Sequence, residues 1–322
     1  MFRISLFMLL TSANLPAQIS LADKYADVDA SAIAFGTIDN FQLREQTLRL
    51  TDEWSEPELK ARAIYTWITH HVAYNTRQFH WRFFLHLFRV KETTEKVLKK
   101  DKSMCSGYSL LFTMMCHYCG ISTMIISGYG KTEISQIKKK PRLARGRHAW
   151  NLVEIDGKWQ PVDCTWGAGG CDKHIRHFQY QFNSGYFLTP PRQFIYNHLP
   201  KDKKWQLLDT AIGKSRFFSG PLPLDDFFQS DVKYFSPKKG IIKTSTKATK
   251  KLVITPLSPA TDSSIIVSNG ADFGMEFKGK DIEWKNETAT VALKSLPPGK
   301  YPLVIAINHE KFLMMYWAEV RK

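Results

Sequence analysis

Met104-Cys105-Ser106-Gly107-Tyr108-Ser109-Leu110-Leu111-Phe112-Thr113-Met114-Met115-Cys116-His117-Tyr118-Cys119-Gly120 is the stretch from which the rest of the chain can be placed. Leu110, Leu111, Phe112, Met114 and Met115 are apolar almost all the way round a helical wheel, which predicts a helix buried in a sizeable core rather than one lying on a surface. Gly120 ends it, and Ser103 or Ser106 is its expected cap. Cys105 then falls in or just before the first turn, where unsatisfied N–H groups and the helix dipole favour a thiolate. Cys116 and Cys119 lie deeper in the same pattern. No second Cys pair accompanies them, so they read as buried thiols rather than as a zinc or redox site.

A second stretch, Arg147 to Gly169, contains Asp156-Gly157 between two β-prone runs, a strong two-residue hairpin signal. With those two residues as the loop, Ile155 pairs with Lys158, and counting back sets Leu152 opposite Pro161, Trp150 opposite Asp163 and His148 opposite Thr165. Pro161 falls at a non-hydrogen-bonded position, where its missing N–H costs nothing. His148 and Asp163 become diagonal neighbours on one face, with backbone positions about 7–8 Å apart. A thiol, a His and a carboxylate that orients it form the general arrangement for covalent acyl transfer.

Cys105-Ser106-Gly107-Tyr108-Ser109, Arg147-His148-Ala149-Trp150-Asn151 and Pro161-Val162-Asp163-Cys164-Thr165-Trp166-Gly167 resemble, in this order, the three motifs of the transglutaminase-like superfamily. Tyr65-Thr66-Trp67-Ile68-Thr69 with Val72-Ala73-Tyr74 ahead of the cysteine, and Tyr186-Phe187-Leu188-Thr189 with Trp205-Gln206-Leu207-Leu208 behind the aspartate, extend the resemblance toward the branch that includes kyphoscoliosis peptidase. It covers about residues 25 to 230, and Asn75 departs from the Asp expected after Tyr74. The resemblance implies an α+β fold with a papain-like cysteine-protease core, a buried helix preceding an antiparallel sheet, and catalysis by Cys105, His148 and Asp163. The Cys105 N–H is one expected oxyanion donor. Trp67, Tyr74 and Gln78 are candidates for the second.

Length and composition set the frame around this core. The chain has 322 residues, 43% of them hydrophobic, enough for a full core and two domains. Met1-Phe2-Arg3, the apolar run Ile4 to Leu10 and small residues at Ala17, Ser20 and Ala22 read as a secretory signal over 1–22, so the expected location is secreted or periplasmic. No later run is long enough to span a bilayer. Five cysteines is an odd number, and Cys164 and Cys171, separated by a Gly-rich turn, are candidates for one bridge. Cys171, His174 and His177 could line a helical face as metal ligands, but a solvated segment is the preferred account. No metal and no cofactor is assigned.

Helices are expected over Phe41–Leu50 and Glu56–Val72, the second with a Ser55/Glu58 capping box, Pro57 in the first turn and a stripe of Ile64, Trp67, Ile68 and Val72. Residues 23–235 read as the catalytic domain and 236–251, rich in Lys, Ser and Thr, as a linker. Short strand-like runs at Leu252–Ile254, Ser264–Val267, Met275–Phe277, Thr290–Leu293 and Leu303–Ile307 then predict a small β-sandwich over 252–322, Ig-like in outline.

Formal net charge is +15, or +14 without the signal. Arg142, Arg145 and Arg147 lead into His148, and with Trp150 and Trp166 they form the expected substrate rim, suited to an acidic peptide or an anionic cell-wall fragment. No nucleic-acid recognition motif accompanies the charge. The expected activity is peptidase or amidase hydrolysis on a protein or peptide substrate. The alternatives are protein cross-linking by the same triad, and a non-catalytic binding protein that uses the basic surface and the C-terminal domain.

Overall fold

The apolar wheel around Leu111 folds as expected, but backbone groups rather than side chains set both of its ends. A computed structural model describes residues 24–84, 92–138, 147–255, 264–269 and 274–322, so the signal assignment over 1–22 and the rim residues Arg142 and Arg145 lie outside the described residues. The chain divides into two compact units, Met1–Ser127 with His148–Leu188, and Gly128–Arg147 with Thr189–Lys322.

The first unit contains helices α1 (Ala26–Ala34), α2 (Leu43–Leu50), α3 (Pro57–His71), α4 (Thr76–Phe84), α5 (Thr94–Lys100), α6 (Cys105–Tyr118) and α7 (Cys164–Ala168). Its extended segments are β1 (Ala73–Tyr74) and β2 (Lys102–Ser103), which pair in parallel, and the antiparallel ribbon β6 (Gly169–Cys171) with β7 (Phe178–Tyr180). Strand β3 (Thr123–Gly130) follows α6, and β4 (Arg147–Ile155) and β5 (Lys158–Val162) form the hairpin. Tyr108, Leu111, Phe112, Met115 and Cys116 of α6 are fully buried, in one core with Ala61, Ile64, Tyr65 and Ile68 of α3. Burying each of the larger apolar side chains is worth about 1.5–3 kcal/mol, so α6 is held by tertiary packing rather than by propensity.

Neither expected serine caps α6. Met104 is the N-cap and supplies no side-chain bond. Ser103 Oγ donates instead to Glu92 Oε2 at 3.3 Å, and Ser106 Oγ is buried with no hydrogen-bond partner. Gly107 leaves room for this packing, because a Cβ there would stand 1.9 Å from Ser103 Oγ and 2.9 Å from Val97 Cγ2. At the other end Gly120 adopts φ +71°, its N–H bonds His117 O at 3.0 Å, and Ile121 N–H bonds Cys116 O at 2.9 Å. This bond pair is the Schellman ending that a left-handed glycine permits.

The capping box expected at α3 is also absent. Glu56 is the N-cap, with Pro57 in the first turn, while the Glu58 carboxylate is drawn away by the Lys24 ammonium and the Tyr25 hydroxyl. Arg62 of α3 is fully buried. Its Nε and Nη2 bond both Asp29 oxygens at 2.7 and 2.6 Å, Nη2 also reaches Ser184 Oγ at 2.9 Å, and the guanidinium lies 4.5 Å from the Tyr25 ring centroid.

The hairpin register is the one that Asp156-Gly157 dictates. Both turn residues have positive φ, 50° and 72°, and the pairs run Ile155↔Lys158, Glu154↔Trp159, Val153↔Gln160, Leu152↔Pro161 and Asn151↔Val162. The ladder stops one pair short of Trp150 and Asp163, because the chain turns there into α7.

The second unit corrects the linker. Within 236–251 lies β11 (Ile241–Ser245), which pairs in parallel with the long C-terminal strand β18 (Lys311–Arg321). Before it come β8 (His198–Pro200), β9 (Leu222–Pro223) and β10 (Tyr234–Ser236); after it come β12 (Lys250–Thr255), β13 (Ile265–Ser268), β14 (Gly274–Phe277), β15 (Ile282–Lys285), β16 (Thr288–Leu293) and β17 (Gly299–Ile307). One sheet has the order β10-β12-β16-β15; the other runs β11-β18-β17-β13-β14, with β9 on β18. All five predicted strands are present. The run Phe312 to Trp317 escaped notice because it is continuously apolar, and β11 because lysines and threonines surround Ile241-Ile242.

The Arg62–Asp29 pair gives a direct stability test. Asp29→Ala leaves a buried guanidinium without its carboxylate and is expected to cost about 3–5 kcal/mol in chemical denaturation, whereas Asp29→Ala combined with Arg62→Met recovers most of that loss. A double variant no more stable than Asp29→Ala would show that the pair does not behave as a buried ion pair.

Candidate active site

Asp163 is the residue on which the site is built. It is fully buried and follows the last residue of β5. In the hairpin register its N–H points away from β4, and it donates to Tyr186 O at 2.9 Å. Its carboxylate then divides between two tasks. Oδ1 caps α7, accepting from the Thr165 and Trp166 N–H groups at 2.8 and 3.1 Å, and Oδ2 accepts from His148 Nε2 at 2.6 Å. Three donors satisfy a carboxylate that burial alone would penalise by several kcal/mol.

The acceptor at Tyr186 is itself fixed from α3. Tyr65 Oη donates to Asn183 O at 2.6 Å, Arg62 holds Ser184, and Asn183 Oδ1 accepts the Gly185 N–H at 2.9 Å. Gly167 of α7 passes so close to Tyr65 that a Cβ would lie 2.0 Å from Oη. The glycine of the Thr165-Trp166-Gly167 motif is therefore demanded by packing.

His148 is buried between aromatic rings. Trp166 stacks on it with centroids 4.8 Å apart and planes at 19°, and Trp150 lies 5.8 Å away at 34°. With Nε2 committed to Asp163, the other ring nitrogen, Nδ1, serves the hydrogen bond to Cys105. Burial opposes the imidazolium most strongly, but the Asp163 charge and hydrogen bond, joined by Cys105, outweigh it and hold the ring's pKa up at about 10. For Cys105, burial likewise opposes ionisation. The hydrogen bond and charge of His148, with a bond from the Ala149 N–H, nevertheless bring the thiol below its ordinary value. These opposite shifts describe a thiolate–imidazolium pair. As the first residue of α6, Cys105 also has an N–H with no intrahelical acceptor.

Two of the three candidate second oxyanion donors are committed elsewhere. Trp67 is buried, gives its Nε1–H to Gly36 O at 2.7 Å and stacks on His71. Gln78 Nε2 donates to Glu92 Oε1 at 2.5 Å. Tyr74 is set opposite Ser103 by the β1–β2 pairing, and Ser103 stands two residues before Cys105 in the chain. Of the expected rim residues, Trp150 is only 1% exposed and packs in the core, Trp166 stacks on the imidazole, and Arg147 is exposed at the start of β4. Cys171 ends a strand and His177 is paired with Asp172 at 2.8 Å, so the suggested helical ligand face does not form. Cys164 and Cys171 are not bridged. Sequence reasoning missed the Ala149 N–H, Arg62 and the Tyr186 carbonyl; backbone donors and acceptors leave no mark in a sequence, although Tyr186 stands in a motif already noted.

Residues 44–164 match the family model described as the transglutaminase-like superfamily. The chain is 29% identical to kyphoscoliosis peptidase of Mus musculus, over 80% of this chain and 37% of that protein. It is 32% identical to kyphoscoliosis peptidase of Homo sapiens, over 58% and 27%, and 30% identical to hillarin of Drosophila melanogaster, over 64% and 26%. The chain thus spans roughly a quarter to just over a third of these relatives' length.

The opposite shifts of Cys105 and His148 fix a pH profile. The pair is lost on the acid side as the thiolate takes a proton, at a pH below that of an ordinary thiol, and on the alkaline side as the imidazolium loses its own near about 10. Site-resolved mass spectrometry of iodoacetamide labelling should show Cys105 reacting with a two-step profile, the first step below the ordinary thiol range of about 8.5 and the second near the imidazole value. A single step centred on the ordinary thiol value would show that the pair does not form.

Proposed function

We propose that the chain, whose residues 44–164 match the transglutaminase-like family model, is a cysteine enzyme of amide acyl transfer, with Cys105 as nucleophile, His148 as acid and base, and Asp163 as the group that orients the imidazole. The observation that carries this reading is the divided Asp163 carboxylate, with one oxygen locked to the α7 N–H groups and the other on His148 Nε2. An aspartate anchored in this way can fix the ring's tautomer and support its charge without moving.

In the proposed reaction the Cys105 sulfur attacks an amide carbonyl carbon, and the oxygen becomes an oxyanion facing the Cys105 N–H. The C–N bond then breaks as the His148 imidazolium gives its proton to the departing amine. The thioester next meets a nucleophile. Water, losing a proton to His148, releases a carboxylic acid and regenerates the thiolate–imidazolium pair; a primary amine, losing its proton in the same way, gives a new amide. We favour hydrolysis, in keeping with the name of the peptidase relatives. The substrate class we infer is a protein or peptide, with acidic segments attracted by exposed Arg147 and the net charge of +15.

The two outcomes separate in one assay that follows both new amino termini and incorporation of a fluorescent primary amine into a denatured protein substrate. Hydrolysis predicts new termini with little incorporation, and Cys105→Ala abolishes both signals. Asp163→Asn should keep the fold and lower kcat by a factor on the order of 10^4. Near-native turnover in that variant would remove Asp163 from its assigned role. For an acidic peptide, kcat/KM should also fall as added salt shortens the screening length from about 10 Å at 0.1 M to about 3 Å at 1 M, with kcat nearly constant. Equal salt dependence for a neutral peptide would reduce the basic surface to a solvated face.

A further inference from the structure

Strand β4 meets helix α6 along one row of the helix, at residues 105, 109 and 113, spaced four apart. At the first, the Ala149 N–H bonds the Cys105 sulfur. Further along, Asn151 Nδ2 donates to Ser109 O at 3.0 Å and to Thr113 Oγ1 at 2.9 Å. Ser109 Oγ in turn donates to Cys105 O at 2.9 Å, so a chain of hydrogen bonds runs from the strand back to the residue that carries the nucleophile. The spacings match: two strand residues, Ala149 to Asn151, span about 6.6 Å, and four helical residues, Cys105 to Ser109, rise about 6 Å.

Asn151 is a buried polar residue on a face of β4 that continues with apolar ones. Val153 and Ile155, on the same side of β4, are packed in one core with Leu111, Phe112 and Met115 of α6, and Asn151 itself is 1% exposed. Stability does not account for an amide there, because Asn151 Oδ1 is buried with no hydrogen-bond partner, and that penalty offsets what the two donated bonds contribute. What an amide does that an apolar side chain of the same shape cannot is to fix the register. Leucine can slide along a ridge of methyl groups; an N–H₂ shared between a carbonyl and a hydroxyl cannot.

We propose that Asn151 is a positioning residue that locks the helix carrying Cys105 to the strand carrying His148, and thereby sets the approach of sulfur to imidazole. The inference rests on the reading of Cys105 and His148 as a reactive pair. Asn151 is uncharged and acts through geometry alone.

Asn151→Leu in the full chain tests this, with labelling of Cys105 by iodoacetamide across pH and kinetics on a peptide substrate as readouts. The expected result is retained circular dichroism, a first labelling step moved toward the ordinary thiol value, labelling at neutral pH about tenfold slower, and a fall in kcat with KM nearly unchanged. A purely structural role would change the melting temperature and leave the labelling profile where it is. Thr113→Val removes one of the two acceptors without changing shape; it should shift the profile in the same direction by less, and it carries the test if Asn151→Leu does not fold. A wild-type profile in the folded variants overturns the proposal for Asn151 alone. A wild-type chain whose Cys105 titrates as an ordinary thiol overturns the reactive pair, and this inference with it.

Discussion

A buried carboxylate must find donors, and the way Asp163 finds them organises the first unit. Left unpaired at zero exposure it would either take up a proton or open the core. The β4–β5 hairpin delivers it beside His148, α7 begins at the following residue so that two N–H groups converge on one oxygen, and the turn at Tyr186 receives its backbone N–H. Remove any of these and the charge is no longer compensated. The same elements bring Gly167 against Tyr65 and set the Trp166 ring face to face with His148.

The hairpin was legible because a two-residue loop leaves no freedom. Once Asp156-Gly157 is accepted as the turn, period-two counting places His148 near Asp163, and the pairs Ile155↔Lys158 to Asn151↔Val162 follow that count. The buried helix was legible for a similar reason, since few alternatives accommodate Leu111, Phe112 and Met115 together. What could not be read were choices among competing polar partners. Ser103 and Glu58 fit capping patterns, yet each is captured by a neighbour from elsewhere in the chain, Glu92 in one case and Lys24 with Tyr25 in the other. Trp67 and Gln78 lost their suggested roles in the same way, to Gly36 O and Glu92. A side chain's partner is a tertiary fact, and only groups whose position is fixed by short-range register escape that rule.

The chemistry depends on a balance of large opposing effects. Desolvation works against the charge on both Cys105 and His148; for His148 the charge and hydrogen bond of Asp163, joined by Cys105, reverse it, and for Cys105 the hydrogen bond and charge of His148 with the Ala149 N–H do so against the opposing charge of Asp163. An ion pair so placed is sensitive to small changes in separation, because the low-dielectric surroundings that strengthen the attraction also enlarge the cost of losing it. This is why the supports behind the site, from α3 through the Asn183–Tyr186 turn and from α6 through Asn151, matter as much as the three side chains themselves.

The central claim is that His148 rests as an imidazolium opposite a thiolate. The most direct measurement is the nitrogen chemical shift of the His148 ring in labelled protein, followed across pH in the wild type and in Cys105→Ala. The account predicts both ring nitrogens protonated at about pH 8, with the loss of one proton only near about 10, and an earlier loss once the sulfur is removed. A neutral imidazole at about pH 8 in the wild type, unchanged by Cys105→Ala, would contradict it.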